Sequence, residues 1–119
     1  MSDSLILYIG KPEQGQALAA AASSQNSYVY LPASLMDALG MYITYFPDIV
    51  VIDMAVEYAQ EAFDHLRSVD AEPLVLIGGK PVRSTSVYAL PSNISTDALL
   101  RALDRFSPKR VPNGLLHYA

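Results

Sequence analysis

The stretch 47-PDIVVIDM-54 predicts a buried strand at the centre of a parallel β-sheet. Its four apolar residues, Ile49 to Ile52, follow one another without polar alternation. A continuous run of this kind is typical of a strand that is covered on both faces. Helices on both faces of a parallel sheet provide such cover, so the stretch indicates an α/β protein.

Similar apolar runs and helical patterns alternate on either side of this stretch. The other predicted strands are Leu5–Ile9, Tyr28–Leu31, Leu74–Ile77 and, more weakly, Ser86–Leu90. The predicted helices are Gln14–Ser24, Ala33–Tyr45, Val56–Val69 and Thr96–Phe106, the last with Ser95 as its N-cap. This alternation predicts right-handed crossovers between parallel strands. About nine residues separate Ile77 from Val87, too few for a crossover that holds a full helix.

The composition limits the class of protein. The chain has 119 residues, of which 51% are hydrophobic and 17% charged, and this fits one globular domain. Without cysteine there are no disulfides or thiolate metal sites, and a cytoplasmic location is expected. The net charge of −4 argues against direct binding to nucleic acid. No apolar run approaches the roughly 20 residues of a membrane span, so we expect no membrane contact.

The segment PDIVVIDM also resembles the third strand of response-regulator receiver domains, in which the phosphate-accepting Asp follows four apolar residues. Three other segments keep the order and spacing of that family: DALGMYITYFPD, LRSVDAEPLVLIGG and YALPSNISTDALLRAL. The resemblance implies a flavodoxin-like, doubly wound sheet of five parallel strands in the order 2-1-3-4-5, with the fourth helix missing or reduced. The receiver-like domain would span residues 1–106, and residues 107–119 would form a tail or the start of a linker.

The resemblance also implies which residues should form a receiver site. Asp53 is equivalent to the phosphate-accepting Asp. The family's two Mg²⁺-binding acids fall on Gly10 and Lys11, its hydroxyl residue falls on Gly78, and its lysine falls on Leu90, before Pro91. Phosphoryl transfer depends on a metal ion and a cation that neutralise the transferring oxygens. We therefore expect a pseudo-receiver that is not an enzyme, with no catalytic residues, no metal and no cofactor.

Two other functions remain open at this point. A working receiver could still accept phosphate at Asp53. Alternatively, the spacing of Gly10 and Gly15 matches a phosphate-binding loop, which would make the chain a small nucleotide- or phosphate-binding α/β protein, although Gln16 and Ala17 replace the Lys and Ser or Thr of that motif. For the degenerate site there are two alternatives: either Lys11 pairs with Asp53, or Lys11 faces solvent and backbone N–H groups cap Asp53.

The predicted second helix carries more apolar residues than a core requires. They cover an arc of roughly 220°, whereas a helix that packs on a core needs a little over about 100°. Either neighbouring helices and loops cover the surplus, or this helix and the region left by the missing fourth helix contact a protein partner or a second copy of the chain in a homodimer. The candidate interface residues are Leu35, Ala38, Met41, Tyr42 and Tyr45.

Overall fold

Five parallel strands form a single sheet in the order β2-β1-β3-β4-β5. The computed structural model describes residues 4–80 and 86–106. Its elements are β1 (Leu5–Ile9), α1 (Pro12–Ser23), β2 (Tyr28–Tyr30), α2 (Leu35–Tyr45), β3 (Ile49–Asp53), α3 (Ala59–Ser68), β4 (Leu74–Ile77), β5 (Val87–Leu90) and α4 (Thr96–Phe106). The flavodoxin-like fold predicted from the sequence is confirmed.

The short connection between β4 and β5 is the main departure from a regular alternation. In the described part of the chain, no helix lies between these two strands. Residues 81–85 of this connection lie outside the described residues, as does the predicted tail 107–119.

Both faces of the central strands are buried. All five residues of β3 are buried. Leu7, Val50 and Leu74 pack in the core beneath α2 and α3, whereas Ile6, Val51 and Val75 belong to the core beneath α1 and α4. The unbroken apolar run of β3 is therefore explained by two cores that share one sheet.

Three helices begin at different residues from those predicted. Helix α1 starts earlier, at Pro12, because proline is favoured at the first helical position. Helix α2 starts later, at Leu35, since Ser34 caps it by accepting a hydrogen bond from the Asp37 N–H over 3.1 Å. Helix α3 starts at Ala59 rather than Val56, because turns occupy the residues after β3.

The five interface candidates of α2 differ in exposure. Ala38 is fully buried in the core. Leu35, Met41 and Tyr42 are partly buried and pack against that core. Tyr45 is exposed, and its ring stacks on Tyr30 with 4.5 Å between the ring centroids. Apart from Tyr45, these residues therefore serve mainly to hold α2 on the sheet.

The exposed side of α2 is formed by other residues. Met36, Ile43 and Phe46 are its most exposed large apolar side chains. Gly40 lies between Met36 and Ile43 on the same side of the helix. A Cβ atom added at Gly40 would meet no atom within 4 Å, so packing within the described chain does not require glycine there.

Replacing Gly40 with alanine should stabilise the protein. Glycine in a helix interior costs about 0.5–1 kcal/mol relative to alanine, and the added methyl group meets open space. We expect the free energy of unfolding, measured by urea titration, to rise by about that amount. Gly78→Ala is a control with the opposite expected sign, because Gly78 has a φ of 77°. A loss of stability in Gly40→Ala would contradict the prediction.

Candidate functional site

The residues predicted to form a receiver site meet at the carboxyl edge of the sheet. Asp53 is the last residue of β3 and pairs in register with Ile77 of β4, which pairs with Leu90 of β5. The Gly78 N–H donates to the Leu90 carbonyl over 2.8 Å and joins two of these positions directly. The other three follow strands at the same edge: Gly10 and Lys11 after β1, and Pro91 after β5.

Asp53 is a buried carboxylate that the backbone holds in place. Its side chain is 6% exposed, and its Oδ1 atom accepts a hydrogen bond from the Ala55 N–H over 3.0 Å. Lys11 is the N-cap residue of α1 and is exposed. Among the described residues, these two side chains form no ion pair, so the structure has backbone capping of Asp53 in place of the Lys11 pair.

Tyr8 fills the space above Gly10. The Tyr8 side chain is 2% exposed, and its hydroxyl donates to Oε1 of Gln14 over 3.0 Å. A Cβ atom at Gly10 would lie 2.7 Å from Cε2 and 2.9 Å from the hydroxyl oxygen of Tyr8. Because real Cβ contacts are longer than this, any side chain at Gly10 requires the tyrosine ring to move.

Gly15, the second glycine of the spacing that matches a phosphate-binding loop, also makes room for side chains. A Cβ atom at Gly15 would lie 2.5 Å from Cδ2 of Leu31 and 3.1 Å from Cδ2 of Tyr8. The spacing of Gly10 and Gly15 is therefore explained by the packing of Tyr8 and Leu31 against the start of α1.

This arrangement differs from a phosphate-binding loop. Such a loop surrounds phosphate with a series of backbone N–H groups before its helix begins. Here only Gly10 and Lys11 separate β1 from α1, and Gly15 already lies inside the helix. A small pocket of about 30 Å³ lies between the start of α1 and the start of α4, well below the roughly 300–1,000 Å³ of typical ligand sites. Its lining residues are Tyr8, Gln14, Ile77, Ser92, Ile94, Thr96 and Leu99.

The environment of Tyr8 disfavours ionisation of its phenol. Burial of the ring, and secondly the negative charge of Asp53, raise the pKa of Tyr8 from 10.0 to about 12. The Asp53 carboxylate therefore has a neutral aromatic residue in its surroundings. A hydroxyl group with this pKa stays protonated at neutral pH and acts as the hydrogen-bond donor to Gln14.

Gly78 has a backbone conformation that disfavours the hydroxyl residue of receiver domains. Its φ of 77° lies in the left-handed region, which costs residues with a Cβ atom roughly 1–2 kcal/mol. A Cβ atom at this position would also lie 3.1 Å from the Cβ atom of Ser92. A serine or threonine at this position would therefore be strained by its backbone and crowded by Ser92.

The side chains at this edge do not fit the Mg²⁺ ion that a receiver fold implies. Mg²⁺ is usually held by one or two carboxylates, water and phosphate oxygens in octahedral geometry. Asp53 supplies a carboxylate, but Gly10 has no side chain and its neighbouring volume is taken by Tyr8. Lys11 adds positive charge, which opposes cation binding. Within residues 4–80 and 86–106, no group of three or more His, Cys, Asp or Glu side chains could hold a metal ion.

Sequence reasoning did not identify Tyr8, Gln14 and Ser92 as parts of this edge. A signal for Tyr8 was present, because residues two apart on a strand project from the same face. Tyr8 therefore projects on the side of Gly10, where glycine leaves room for a large ring. Ser92 had no comparable signal, since its approach to Gly78 depends on how β4 and β5 pair.

Solved structures that resemble this chain include receiver domains and response regulators. Chemotaxis protein CheY4 of Vibrio cholerae has a TM-score of 0.72 at 14% identity, covering 87% of this chain and 98% of CheY4. The BeF3-activated N-terminal receiver domain of RstA from Klebsiella pneumoniae has a TM-score of 0.67 at 18% identity, covering 86% and 96%. A response regulator from Thermotoga maritima has a TM-score of 0.70 at 12% identity, covering 87% and 96%.

These likenesses establish the fold: the chain has the architecture of response-regulator receiver domains. No protein-family model matches the sequence, and no curated protein matches it either. In the described part of the chain, no helix combines the length and apolar character needed to cross a membrane.

Substituting Gly10 should reveal its contact with Tyr8. We expect Gly10→Ala to lower the free energy of unfolding by about 1–3 kcal/mol, because the new methyl group overlaps the buried ring. The loss should be much smaller when Gly10→Ala is made in a Tyr8→Leu background, as a double-mutant cycle measured by urea denaturation would show. Lys11→Ala, an exposed neighbour, should change stability by less than about 0.5 kcal/mol. Equal losses in both backgrounds would show that the ring is not the obstacle.

The raised pKa of Tyr8 predicts a loss of stability at alkaline pH. The unfolded chain releases this proton near pH 10 and the folded chain near pH 12. The unfolded state therefore binds fewer protons in that window, and stability falls by up to about 1.4 kcal/mol per pH unit. Comparison with Tyr8→Phe isolates the effect, since Tyr42 and Tyr58, whose pKa values are also raised, are present in both proteins. The free energy of unfolding of Tyr8→Phe minus that of the unaltered protein should be constant below pH 10 and should rise above it. A difference that stays constant up to pH 12 would contradict the prediction.

Proposed function

We propose that this chain is a pseudo-receiver, a receiver-like domain that acts in signal transduction or transcriptional regulation through contacts with other proteins and does not accept a phosphoryl group. The proposal combines the receiver fold with a site whose charged groups have been replaced. The observation that carries it is the buried Tyr8 ring beside Gly10, at the position where receiver domains have an acid that binds Mg²⁺.

Three further features support this proposal. Lys11 has the wrong charge for a metal ligand, Gly78 lacks the hydroxyl group of receivers, and Leu90 replaces their lysine. In phosphoryl transfer the protein contributes mainly positioning and electrostatic stabilisation. The remaining Asp53 would have to react without the groups that neutralise the transferring oxygens, so we assign it a structural role. Its hydrogen bond to the Ala55 N–H fixes the turn after β3.

Titration with Mg²⁺ and beryllofluoride, followed by heteronuclear NMR, tests the proposal. We expect the backbone amide signals of Met54, Ala55 and Gly78 to stay unchanged, because these residues adjoin a site that lacks the required charges. The receiver domain of RstA, known in a BeF3-activated form, is the positive control under the same conditions.

The outcome that would overturn the proposal is a saturable, Mg²⁺-dependent shift of those signals that disappears in Asp53→Asn. That result would identify a working receiver in which Asp53 accepts phosphate. A shift that persists in Asp53→Asn would come from binding elsewhere and would leave the proposal intact.

A further inference from the structure

Large apolar side chains lie uncovered along α2 and at the end of α3. Met36, Ile43 and Phe46 are 78%, 68% and 76% exposed, and Val69, the C-cap residue of α3, is 59% exposed. Single exposed apolar residues are common, but a group on adjoining elements is typical of an interaction site. We call these four residues, together with Gly40, the α2 surface, since α2 and α3 contact each other.

Carboxylates flank these apolar residues: Asp37 follows Met36 on α2, and Asp70 and Glu72 follow Val69 at the end of α3. The pKa of Tyr42 is raised by its burial and then by the charges of Glu72 and Asp70. The pKa of Tyr58 is raised by burial and then by Asp37. Asp37, Asp70 and Glu72 are all exposed, so a partner can approach their charges, although Oδ2 of Asp37 also accepts a hydrogen bond from the Ala33 N–H over 2.9 Å.

The balance of charge on these two helices is negative. Helix α2 contains no Lys or Arg. Helix α3 adds Glu61 and Asp64, with His65 and Arg67 in its last turn. A partner that covers the α2 surface therefore meets an apolar centre with carboxylates near it, and cationic groups at its own periphery would complement them.

A second copy of the chain fits this surface poorly. Antiparallel pairing of two α2 helices about Gly40, their middle residue, would bring Asp37 of each copy toward the end of the other helix, where Asp70 and Glu72 lie near Tyr42. Parallel pairing would place Asp37 of one copy at the same level as Asp37 of the other. Each copy also carries a net charge of −4. Both arrangements oppose like charges, and this disfavours association.

We propose that the α2 surface binds a cationic amphipathic segment of another protein, with large apolar side chains facing Met36, Ile43 and Phe46 and with Lys or Arg near the carboxylates. The absence of a side chain at Gly40 lets the backbone of that segment approach α2 closely. This inference rests on the proposed function, because it names the chemistry of the protein partner.

A synthetic helical peptide can serve as the probe. One peptide of about 15 residues carries Leu on one face and Lys on the other, and a matched peptide carries Glu in place of Lys. We expect the Leu/Lys peptide to bind the full chain at least about tenfold more tightly than the Leu/Glu peptide, as measured by fluorescence anisotropy. NMR signals of α2 and of residues 69–72 should shift most.

Surface variants identify which groups carry the binding. Met36→Ser combined with Ile43→Ser should weaken binding of the Leu/Lys peptide at least about tenfold, and Asp70→Asn combined with Glu72→Gln should weaken it and reduce its dependence on salt. These side chains are exposed, so the variants should fold. Two control variants should leave the affinity for the Leu/Lys peptide unchanged. One is Tyr28→Ser, which removes an exposed aromatic ring on β2. The other combines Glu13→Gln with Asp97→Asn, on the helices of the opposite face of the sheet.

Three results would overturn the inference: equal affinity for both peptides, largest shifts on α1 or α4, or equal weakening by the control variants. A dimer in sedimentation equilibrium that Met36→Ser and Ile43→Ser dissociate would also overturn it, in favour of self-association. These outcomes are separate from the proposed function, because peptide binding is measured without Mg²⁺ or beryllofluoride. Phosphate acceptance at Asp53 would overturn the pseudo-receiver proposal and leave the binding result standing.

Discussion

Burial of both faces of the central strand β3 is the constraint on which the rest of this structure depends. Every residue from Ile49 to Asp53 is buried, so each face of the sheet must be covered by helices. That requirement fixes the crossovers and brings the carboxyl ends of β1, β3, β4 and β5 to one edge. It also leaves Asp53 as a buried carboxylate, which must be stabilised by local hydrogen bonds because burial of a charge is costly.

At that edge, buried packing lies where the receiver resemblance implies charged groups. In a receiver, the acids held close together for Mg²⁺ repel each other, and this repulsion lowers the stability of the fold. Here Tyr8 occupies the adjoining volume, donates a hydrogen bond to Gln14 on α1 and adds buried aromatic surface at this edge.

The α2 surface, in contrast to the closely packed carboxyl edge of the sheet, is not covered by other parts of the described chain. Large apolar side chains are exposed there, and Gly40 weakens the helix although the surrounding structure leaves room for a side chain. Neither feature benefits the isolated fold. Both are expected of a helix that buries its outer side against a partner, because the partner then supplies the packing that the chain itself lacks.

The sequence by itself determined the alternation of strands and helices, the strand order through the receiver resemblance, and the edge at which Asp53, Gly78 and Leu90 meet. These follow from local patterns and from the geometry of parallel sheets, in which strand ends coincide. Only the tertiary structure decided that Tyr8 lies against Gly10, that Lys11 stays apart from Asp53, and that Met36 and Ile43 rather than Ala38 are exposed. Periodicity gives the direction of a side chain around its own element, but the neighbours that cover it come from distant parts of the chain.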